Sequence, residues 1–283
     1  MNKVINDPKV PVFFTGTGLM LAQTPIVTSL NRVSVICCYS NVSMLESISQ
    51  IYSGKADGIP KNSSLHFLKG ISGHLTKETV RVGYKVNGII IKPQIDQYFQ
   101  SQPLATMKAD LTFAGSLALA EMAINPADTL RTMWQAGEKM SSIPKGNLLS
   151  HLYKGSTANG LRQFGTWLGF PVSERVWSNV LENYSSLDPH LMSGIIIKSF
   201  PQSFQITGPV WIFERLKNEL QYHVKLDHPY KRFHYTQVLK HILDQQGCVG
   251  LTRGFMPKVL SNWVLIIGAN YLLEQGRAIQ KRQ

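Results

Sequence analysis

The stretch LTFAGSLALAEMAINPADTLRTMWQ, residues 111–135, joins an apolar run rich in small residues to a charged segment that starts with a proline. Pro126 fits a bend between the two halves. Asp128 and Arg131 are three residues apart, which places them on one face of a helix. Such a segment is either the polar end of a soluble helix or a gate at the end of a membrane helix. The rest of the chain has to separate these two interpretations.

Composition points to a negatively charged partner. The 283 residues carry a formal net charge of +12, yet only 16% of them are charged. The positive charge therefore reflects a shortage of acidic residues and not an unusual number of basic ones. A basic protein of this kind suits nucleic acid, anionic lipid or an anionic solute. The sequence has no block of five or six like charges, which argues against a nucleic-acid-binding tail. Three cysteines, two of them adjacent, form neither a disulfide framework nor a metal pattern.

Several uncharged stretches are long enough to be considered as membrane spans. Val10–Asn31 carries no charge over 22 residues, and a bilayer requires about 20. Ser199–Phe213 and Val259–Leu273 are each uncharged over 15 residues, whereas residues 71–92 and 156–177 carry basic residues in mid-segment. Charges inside spans normally face a bundle interior or a watery cavity. A soluble protein with long buried helices remains the alternative.

A short phrase containing a basic residue and a glycine recurs three times. It reads LHFLKGISG at 65–73, SHLYKG at 150–155 and VGLTRGFMPKVLSN at 249–262. A proline lies upstream of each phrase, 45, 29 and 45 residues before the glycine, at Pro25, Pro126 and Pro209. Internal repetition of this kind predicts three units of two long helices each. The amphipathic stretches SMLESISQIYS and TQVLKHILDQQG predict short surface helices in the first and third units.

The segment PADTLRTMWQ resembles the signature of the mitochondrial carrier family: a proline, an acid two residues later, a base three further on, and a glutamine nine residues after the proline. The downstream LYKG and LTRG also match the family pattern. The resemblance covers nearly the whole chain as three repeats, over residues 1–100, 101–187 and 188–283. The divergent, acid-poor character also resembles bacterial proteins delivered into host cells as mimics of such carriers.

The resemblance implies an all-α membrane protein, with six transmembrane helices in three pseudo-symmetric repeats around a central cavity. It also implies a multi-pass location in a mitochondrial inner membrane, that of a host cell if the protein is a bacterial effector. The implied function is transport of a small anionic metabolite by alternating access and exchange. That solute is either a nucleotide such as ATP or ADP, or a di- or keto-carboxylate. The alternative function is a soluble, basic, α-helical binding module for an anionic partner.

Gate residues follow from the same resemblance. Asp128 and Arg131 match the charged network that closes the matrix side, and Gln135 matches its glutamine brace. The first and third repeats depart from the pattern, so we predict a partial gate in which Arg131 pairs with Glu214. On the opposite side, a single acid–base pair is retained, at Glu274 and Arg277; an ordinary surface contact between residues three apart is the alternative there. Pro25, Pro126 and Pro209 are the predicted helix kinks.

The predicted substrate contacts lie seven residues after each basic-glycine pair, at Lys77, Arg162 and Ser261. Arg81, which is four residues after Lys77 and on the same helix face, and the adjacent Gln163 and Asn262 complete the set. Cations in a low-dielectric cavity attract phosphate or carboxylate, and arginine binds either in a bidentate manner. Lys77 and Arg81 could instead reach toward an interface. The Arg162–Gln163 pair resembles that of keto-acid carriers, whereas Tyr84 or Trp263 could stack a nucleotide base, so both solute classes stay open.

Enzyme signatures are missing from the sequence. It contains no Gly-x-Ser-x-Gly, no Walker loop and no His-Glu-x-x-His, so we predict no catalytic residues, no metal site and no cofactor. The expected partners are an anionic small molecule and membrane lipids, including anionic ones. Nucleic acid is not expected as a partner, and the chain is predicted to be a monomer.

Overall fold

The computed structural model describes residues 9–58, 61–135, 148–222 and 235–281 of the chain. Within these ranges every regular element is helical. The α-helices there are, in chain order, α1 (Lys9–Tyr39), α2 (Met44–Tyr52), α3 (Ile71–Phe99), α4 (Ala105–Ala123), α5 (Asn125–Gln135), α6 (Leu148–Leu152), α7 (Ser156–Tyr184), α8 (Met192–Tyr222), α9 (Tyr235–Thr252) and α10 (Phe255–Gln280). Short 3-10 helices at Lys55–Asp57 and Ser64–Leu68 connect α2 to α3.

Three long helices, α3, α7 and α10, each begin directly after a glycine with a left-handed backbone. The φ angles of Gly70, Gly155 and Gly254 are 82°, 72° and 77°. Glycine is favoured there because a Cβ would clash with the backbone in this conformation. The recurrent basic-glycine phrase therefore marks the same local structure three times, a tight turn into a long helix.

The two amphipathic stretches form the predicted short helices, which confirms that part of the sequence analysis. In α2, the Ser43 hydroxyl accepts a hydrogen bond from the Glu46 backbone N–H at 3.2 Å and caps the helix. Ile51 of α2 is buried against α1. In α9, Gly247 interrupts the helix with φ 63° and ψ −171°, and Ile242 packs against α8.

The long helices close into a ring. Its order of contacts is α1, α3, α4, α7, α8, α10 and back to α1. α5 continues from α4 after a break at Ile124 and contacts α3 and α8. Because the last helix packs against the first, the ring encloses an interior that several helices line together.

Helices α1, α5 and α8 converge at one end of this ring. Gln135 of α5 reaches the Thr28 carbonyl of α1 at 3.5 Å, and Thr132 donates to Gln221 Oε1 of α8 at 3.1 Å. Pro25 and Pro209 lie inside α1 and α8, while Pro126 lies in the first turn of α5. A proline is tolerated in a first turn because its missing N–H would have no helical partner there. The bends assigned to these prolines stay a prediction.

Charge is concentrated inside the ring, and large apolar side chains also lie outside it. Phe14 and Leu119 are 67% and 69% exposed, whereas Lys77 and Lys217 are 1% and 0% exposed. An apolar cluster fills another part of the interior, with Met20, Val86, Ile89, Phe113, Trp167, Ile266 and Leu272 among its members. The interior therefore has an apolar layer next to a layer of buried ions.

The predicted membrane architecture is wrong. In the part of the chain that the structure describes, none of the helices combines the length and the apolar character that crossing a membrane requires. The uncharged stretch 10–31 is diluted by threonines, serine, asparagine and glutamine, and α3 carries Lys77, Glu78, Arg81 and Lys85. A stretch without charged residues is therefore not necessarily hydrophobic enough to span a membrane. The same finding overturns the predicted six-span carrier fold and the multi-pass location in a mitochondrial inner membrane. It also conflicts with the assignment to membrane transport.

The ranges 1–100, 101–187 and 188–283 each contain a similar succession of helices. The first holds α1, α2 and α3, and the last holds α8, α9 and α10. In the middle range the first long helix is divided into α4 and α5, followed by α6 and α7. The division into three related repeats agrees with this order, but no observation tests it independently, and it stays a prediction.

Candidate functional site

A cavity lies inside the ring between α1, α3, α5, α7, α8 and α10. The space open to the centre of a water molecule is about 80 Å³. One water needs about 10–15 Å³ on this measure, so the cavity has room for several waters or a small ligand. Trp167, Phe170, Ile206 and Ile266 form an apolar wall.

The polar wall of the cavity carries an excess of positive charge. Among the described residues, six cationic side chains and two carboxylates line it: Lys77, Arg81, Lys85, Arg131, Arg162 and Lys258, with Glu78 and Glu214. None of the six cations is more than 7% exposed. Buried like charges repel one another and lose their hydration, so they require nearby counter-charges.

Asp128 is the first counter-charge; it does not line the cavity itself but contacts two of the lining cations. Its carboxylate contacts Lys77 of α3, Arg131 of its own helix at 2.9 Å and Lys217 of α8 at 2.9 Å. The Asp128 side chain is fully buried. One carboxylate therefore joins three helices through three cations.

Glu214 is the second counter-charge, shared by cations from α7, α8 and α10. Its carboxylate is 2.8 Å from Arg162 of α7, 3.5 Å from Lys217 and 3.5 Å from Lys258 of α10. Lys217 thus contacts both carboxylates. We call these seven side chains the Asp128–Glu214 cluster: Asp128, Glu214, Lys77, Arg131, Arg162, Lys217 and Lys258. Five cations against two carboxylates leave it with a formal charge of +3.

A second group of ions, nearer the C-terminus of α3, has equal numbers of positive and negative charges. Arg81 donates to Glu121 of α4 through Nε at 2.6 Å and also contacts Glu78. Lys85 lies 3.2 Å from Glu121, and its Nζ is 5.3 Å from the centroid of the Trp167 ring. Two cations face two carboxylates here, so the excess charge of the cavity belongs to the Asp128–Glu214 cluster.

The electrostatic environment shifts the pKa values in opposite directions. Burial would raise the pKa of Asp128 and Glu214, but the surrounding cations hold both well below their usual range. Burial lowers the pKa of Lys85 to about 8 and that of Lys258 to about 7, although Glu121 and Glu214 oppose the shifts. The two carboxylates are therefore ionised at neutral pH, while two cavity lysines titrate close to it.

Several N–H donors of the cavity have no acceptor among the described residues. They are Arg131 Nε, Arg162 Nε, Gln163 Nε2 and Trp167 Nε1. A buried donor without a partner costs about 1–3 kcal/mol. Native interiors pair most such groups, so this concentration indicates a place where acceptor atoms of water or ligand bind.

The structure brings most of the predicted substrate residues together. Lys77, Arg81, Arg162, Gln163 and Asn262 line the cavity, and Asn262 Nδ2 donates to Thr207 Oγ1 at 2.8 Å. Ser261 is buried, with its hydroxyl 3.3 Å from Asn31 Oδ1. Their role in binding a substrate stays a prediction.

The predicted gate residues Asp128, Arg131, Gln135 and Glu214 are all buried at the end where α1, α5 and α8 converge. Arg131 pairs with Asp128 on its own helix. Glu214 pairs with the cations from α7, α8 and α10 described above. The expected Arg131–Glu214 pair is thus replaced by a larger network that Lys217 connects.

Sequence reasoning missed Lys85, Glu121, Lys217 and Lys258. Lys85 continues the spacing of four that places Lys77 and Arg81 on one face of α3, and Lys217 is three residues after Glu214. These two could have been found from the spacing. Lys258 and Glu121 gave no such signal, because their partners come from distant parts of the chain.

The other end of the ring contains Glu274 and Arg277, which contact each other at 2.5 Å. Arg277 also donates to both oxygens of Glu174 on α7, at 3.1 and 3.0 Å. Lys198 of α8 lies 3.2 Å from the same carboxylate. The pair predicted from sequence is therefore part of a network that joins α7, α8 and α10 through Glu174.

We expect this network to weaken in acid. Burial would raise the pKa of Glu174, but Arg277 and Lys198 lower it to about 2, below the usual 4.5. A lowered carboxyl pKa stabilises the fold above pH 4.5, and this contribution is lost as pH falls toward 2. The destabilisation caused by Glu174→Gln should shrink by about 1 kcal/mol between pH 6 and pH 3.5.

Urea unfolding of the unchanged protein and of Glu174→Gln, each at pH 6 and pH 3.5, measures how the destabilisation changes with pH. Glu46→Gln is the matched control, because Glu46 is exposed on α2 and should change stability little at either pH. A Glu174→Gln effect that stays constant between pH 6 and pH 3.5 would contradict the pairing.

The fold and the site together define an α-helical ring around a cationic cavity. No family model matches the sequence, and the search of curated proteins finds no match. The resemblance to the mitochondrial carrier family therefore stays a prediction, and the function has to be inferred from the cavity itself.

Proposed function

We propose that this protein binds a small anion with at least two acceptor groups, such as a dicarboxylate or a keto-carboxylate, in the central cavity. One observation carries the proposal: the cavity wall combines surplus cations with unpartnered N–H donors on Arg131, Arg162, Gln163 and Trp167. An anion supplies both the missing charge and the missing acceptors.

The energetic reason is the cost of burying ions. Moving charges out of water is expensive, and mutual attraction offsets that cost where opposite charges meet at close range. In the Asp128–Glu214 cluster two carboxylates serve five cations, so positive charges remain without a full counter-charge. A bound carboxylate would complete the pairing through charge-assisted hydrogen bonds, the stronger kind in proteins.

The size of the cavity favours a small ligand over a nucleotide. A volume of about 80 Å³ leaves room for a few waters, which favours a short dicarboxylate over a nucleoside triphosphate, whose bulk is several times larger. Neither predicted base-stacking residue lines this cavity: Tyr84 packs against the apolar cluster, and the Trp263 ring lies 5.3 Å from Phe200.

The apolar wall fits the same ligand. Trp167, Phe170 and Ile266 lie on the side of the cavity next to the apolar layer. Ligand sites commonly combine apolar walls with a few placed polar groups. The carbon chain of a small carboxylate would lie against these side chains, while its oxygens face the arginines.

Titration calorimetry with succinate, 2-oxoglutarate and ATP tests the proposal. We expect binding of the first two, and a loss of roughly 10- to 100-fold in affinity for Arg162→Gln, because a charge-assisted hydrogen bond contributes about 1.5–3 kcal/mol. Gln163→Met removes a donor that has no partner in the fold, so it should weaken binding without loss of stability.

Lys240→Gln is the matched charge control, because Lys240 is exposed on α9 and is not among the cavity-lining residues. Its affinity should equal that of the unchanged protein. Absence of binding for both succinate and 2-oxoglutarate, whether or not ATP binds, or equal affinity in the Arg162→Gln variant, would refute the proposal.

A further inference from the structure

The Asp128–Glu214 cluster holds more cations than its carboxylates can neutralise. Without a ligand, the surplus is reduced if one of the lysines gives up its proton, since arginine stays protonated in proteins. The lysines of the cluster are Lys77, Lys217 and Lys258. Loss of a lysine proton and binding of an anion are therefore two alternative ways to reduce the surplus positive charge.

Contact distances single out Lys258 as the most weakly held of the three. Lys77 and Lys217 both contact Asp128, the latter at 2.9 Å. Lys258 Nζ is 3.5 Å from Glu214, whose carboxylate Arg162 approaches more closely, at 2.8 Å. The other contact of Lys258 Nζ is Asn31 Oδ1 at 3.1 Å, and a neutral amine can still donate to that oxygen.

The surroundings of Lys258 oppose its positive charge. The charged and titratable groups that face this part of the cavity are Glu214 and Lys217 from α8, Arg162 from α7, Arg131 from α5, and His74, Lys77, Glu78, Arg81 and Lys85 from α3. Burial is the largest cause of the lowered pKa, which lies near 7, and the neighbouring cations add to it. α1 contributes the uncharged Asn31.

We propose that the cavity takes up one proton from solvent together with its anion, and that Lys258 Nζ accepts this proton. The inference rests on the proposed binding of a small anion. A carboxylate placed near Lys258 adds negative charge and stabilises the ammonium form. Anion and proton therefore bind with positive linkage, each raising the affinity for the other.

The direction of the pH effect follows from this linkage. Below pH 7 Lys258 is already protonated before the anion arrives, so binding needs no proton from solvent. Above pH 7 the unliganded form is mostly neutral, and binding has to recruit the proton. Affinity should therefore fall with rising pH, by roughly 20-fold between pH 6.5 and pH 8.5.

Calorimetric titration with succinate at pH 8, in two buffers of different ionisation enthalpy, measures the protons taken up per anion bound. Succinate suits the purpose because its own carboxyl groups stay ionised in this range. We expect close to one proton per succinate for the unchanged protein. For Lys258→Arg we expect at most the fraction of a proton that Lys85 can contribute, and this change should also reduce the dependence of affinity on pH because arginine keeps its charge.

The corresponding changes Lys85→Arg and Lys77→Arg test the assignment to one residue, because both lysines line the same cavity. Proton uptake should persist in each. Uptake that disappears in one of them, or persists undiminished in Lys258→Arg, overturns the inference. Succinate binding without proton uptake in the unchanged protein also overturns it, yet leaves the proposed function standing. Absence of anion binding refutes the proposed function instead.

Discussion

Replacing Asp128 by asparagine is expected to destabilise the fold by about 3–5 kcal/mol, the usual loss when one partner of a buried ion pair is removed. The carboxylate is fully buried and contacts Lys77, Arg131 and Lys217 from three helices. Asparagine retains the shape but leaves three cations facing one another. The helices α3, α5 and α8 would lose their common counter-charge.

Urea unfolding at pH 7 measures the loss, with Asp244→Asn as the matched control because Asp244 is exposed on α9. The control should change stability by less than about 0.5 kcal/mol. The penalty of Asp128→Asn should also become smaller at pH 9. Burial lowers the pKa of Lys77 and of Lys217, so both lysines can lose their protons once Asp128 no longer holds them.

A loss below about 1 kcal/mol at pH 7, as for an exposed ion pair, would show that Asp128 is not the central counter-charge of the ring. A penalty that grows between pH 7 and pH 9 would contradict the assignment of the surplus charge to buried lysines.

Gly254→Ala is the second change with a large expected effect, because two separate causes act at this position. Its φ of 77° is unfavourable for a residue with a Cβ, which costs about 1–2 kcal/mol. The new Cβ would also lie 2.6 Å from the Ser34 carbonyl oxygen of α1. Relieving that clash requires a backbone shift, for which overpacking costs of about 1–3 kcal/mol are typical. Together they predict a loss of about 2–5 kcal/mol.

Gly58→Ala separates the two causes. Gly58 has a similar φ of 67°, but nothing lies within 4 Å of the position that its Cβ would occupy. It should therefore show the conformational part alone, about 1–2 kcal/mol. Thermal or urea unfolding of both variants gives the comparison. Equal losses at the two glycines would mean that α10 and α1 do not pack as closely at Ser34 as the structure shows.

Asp128→Asn and Gly254→Ala affect two different features of the ring, its electrostatic balance and the packing of its last helix against its first. Gly254 sets how closely the last helix approaches the first, with the Ser34 hydroxyl donating to the Gly254 carbonyl at 2.8 Å. Asp128 sets the electrostatic balance beside the cavity. The cluster and the closed ring depend on each other, because Lys258 on α10 contacts Glu214 on α8 and Asn31 on α1 at the same time.

The sequence predicted the helical class and the two surface helices, and the structure shows that its recurrent basic-glycine phrases are turns into long helices. These features are local: a periodic apolar face, a capping serine and a glycine before a helix are encoded within a few neighbouring residues. It failed on the membrane architecture. An uncharged stretch such as 10–31 looks like a span when charge is counted, but its threonines and other polar residues lower its hydropathy.

The candidate site was predicted in part. Repeat spacing singled out Lys77, Arg162 and Ser261; the first two line the cavity, whereas Ser261 is buried beside Asn31 and is not among the lining residues. The partner of Glu214 was predicted as Arg131, whereas its contacts are Arg162, Lys217 and Lys258. Pairing between helices depends on the rotation and depth of each helix, and the sequence of one helix does not contain that information.

The sequence by itself determined the helical class, the two short surface helices and the cation-bearing face of α3 with Lys77 and Arg81, because these depend on residues within a few turns of each other. Only the tertiary structure decided that those cations meet around two carboxylates and leave a surplus of positive charge beside a small cavity. The physical reason is that Coulomb energies depend on distance and burial. Both quantities arise only when the six-membered ring of contacts closes between α1 and α10.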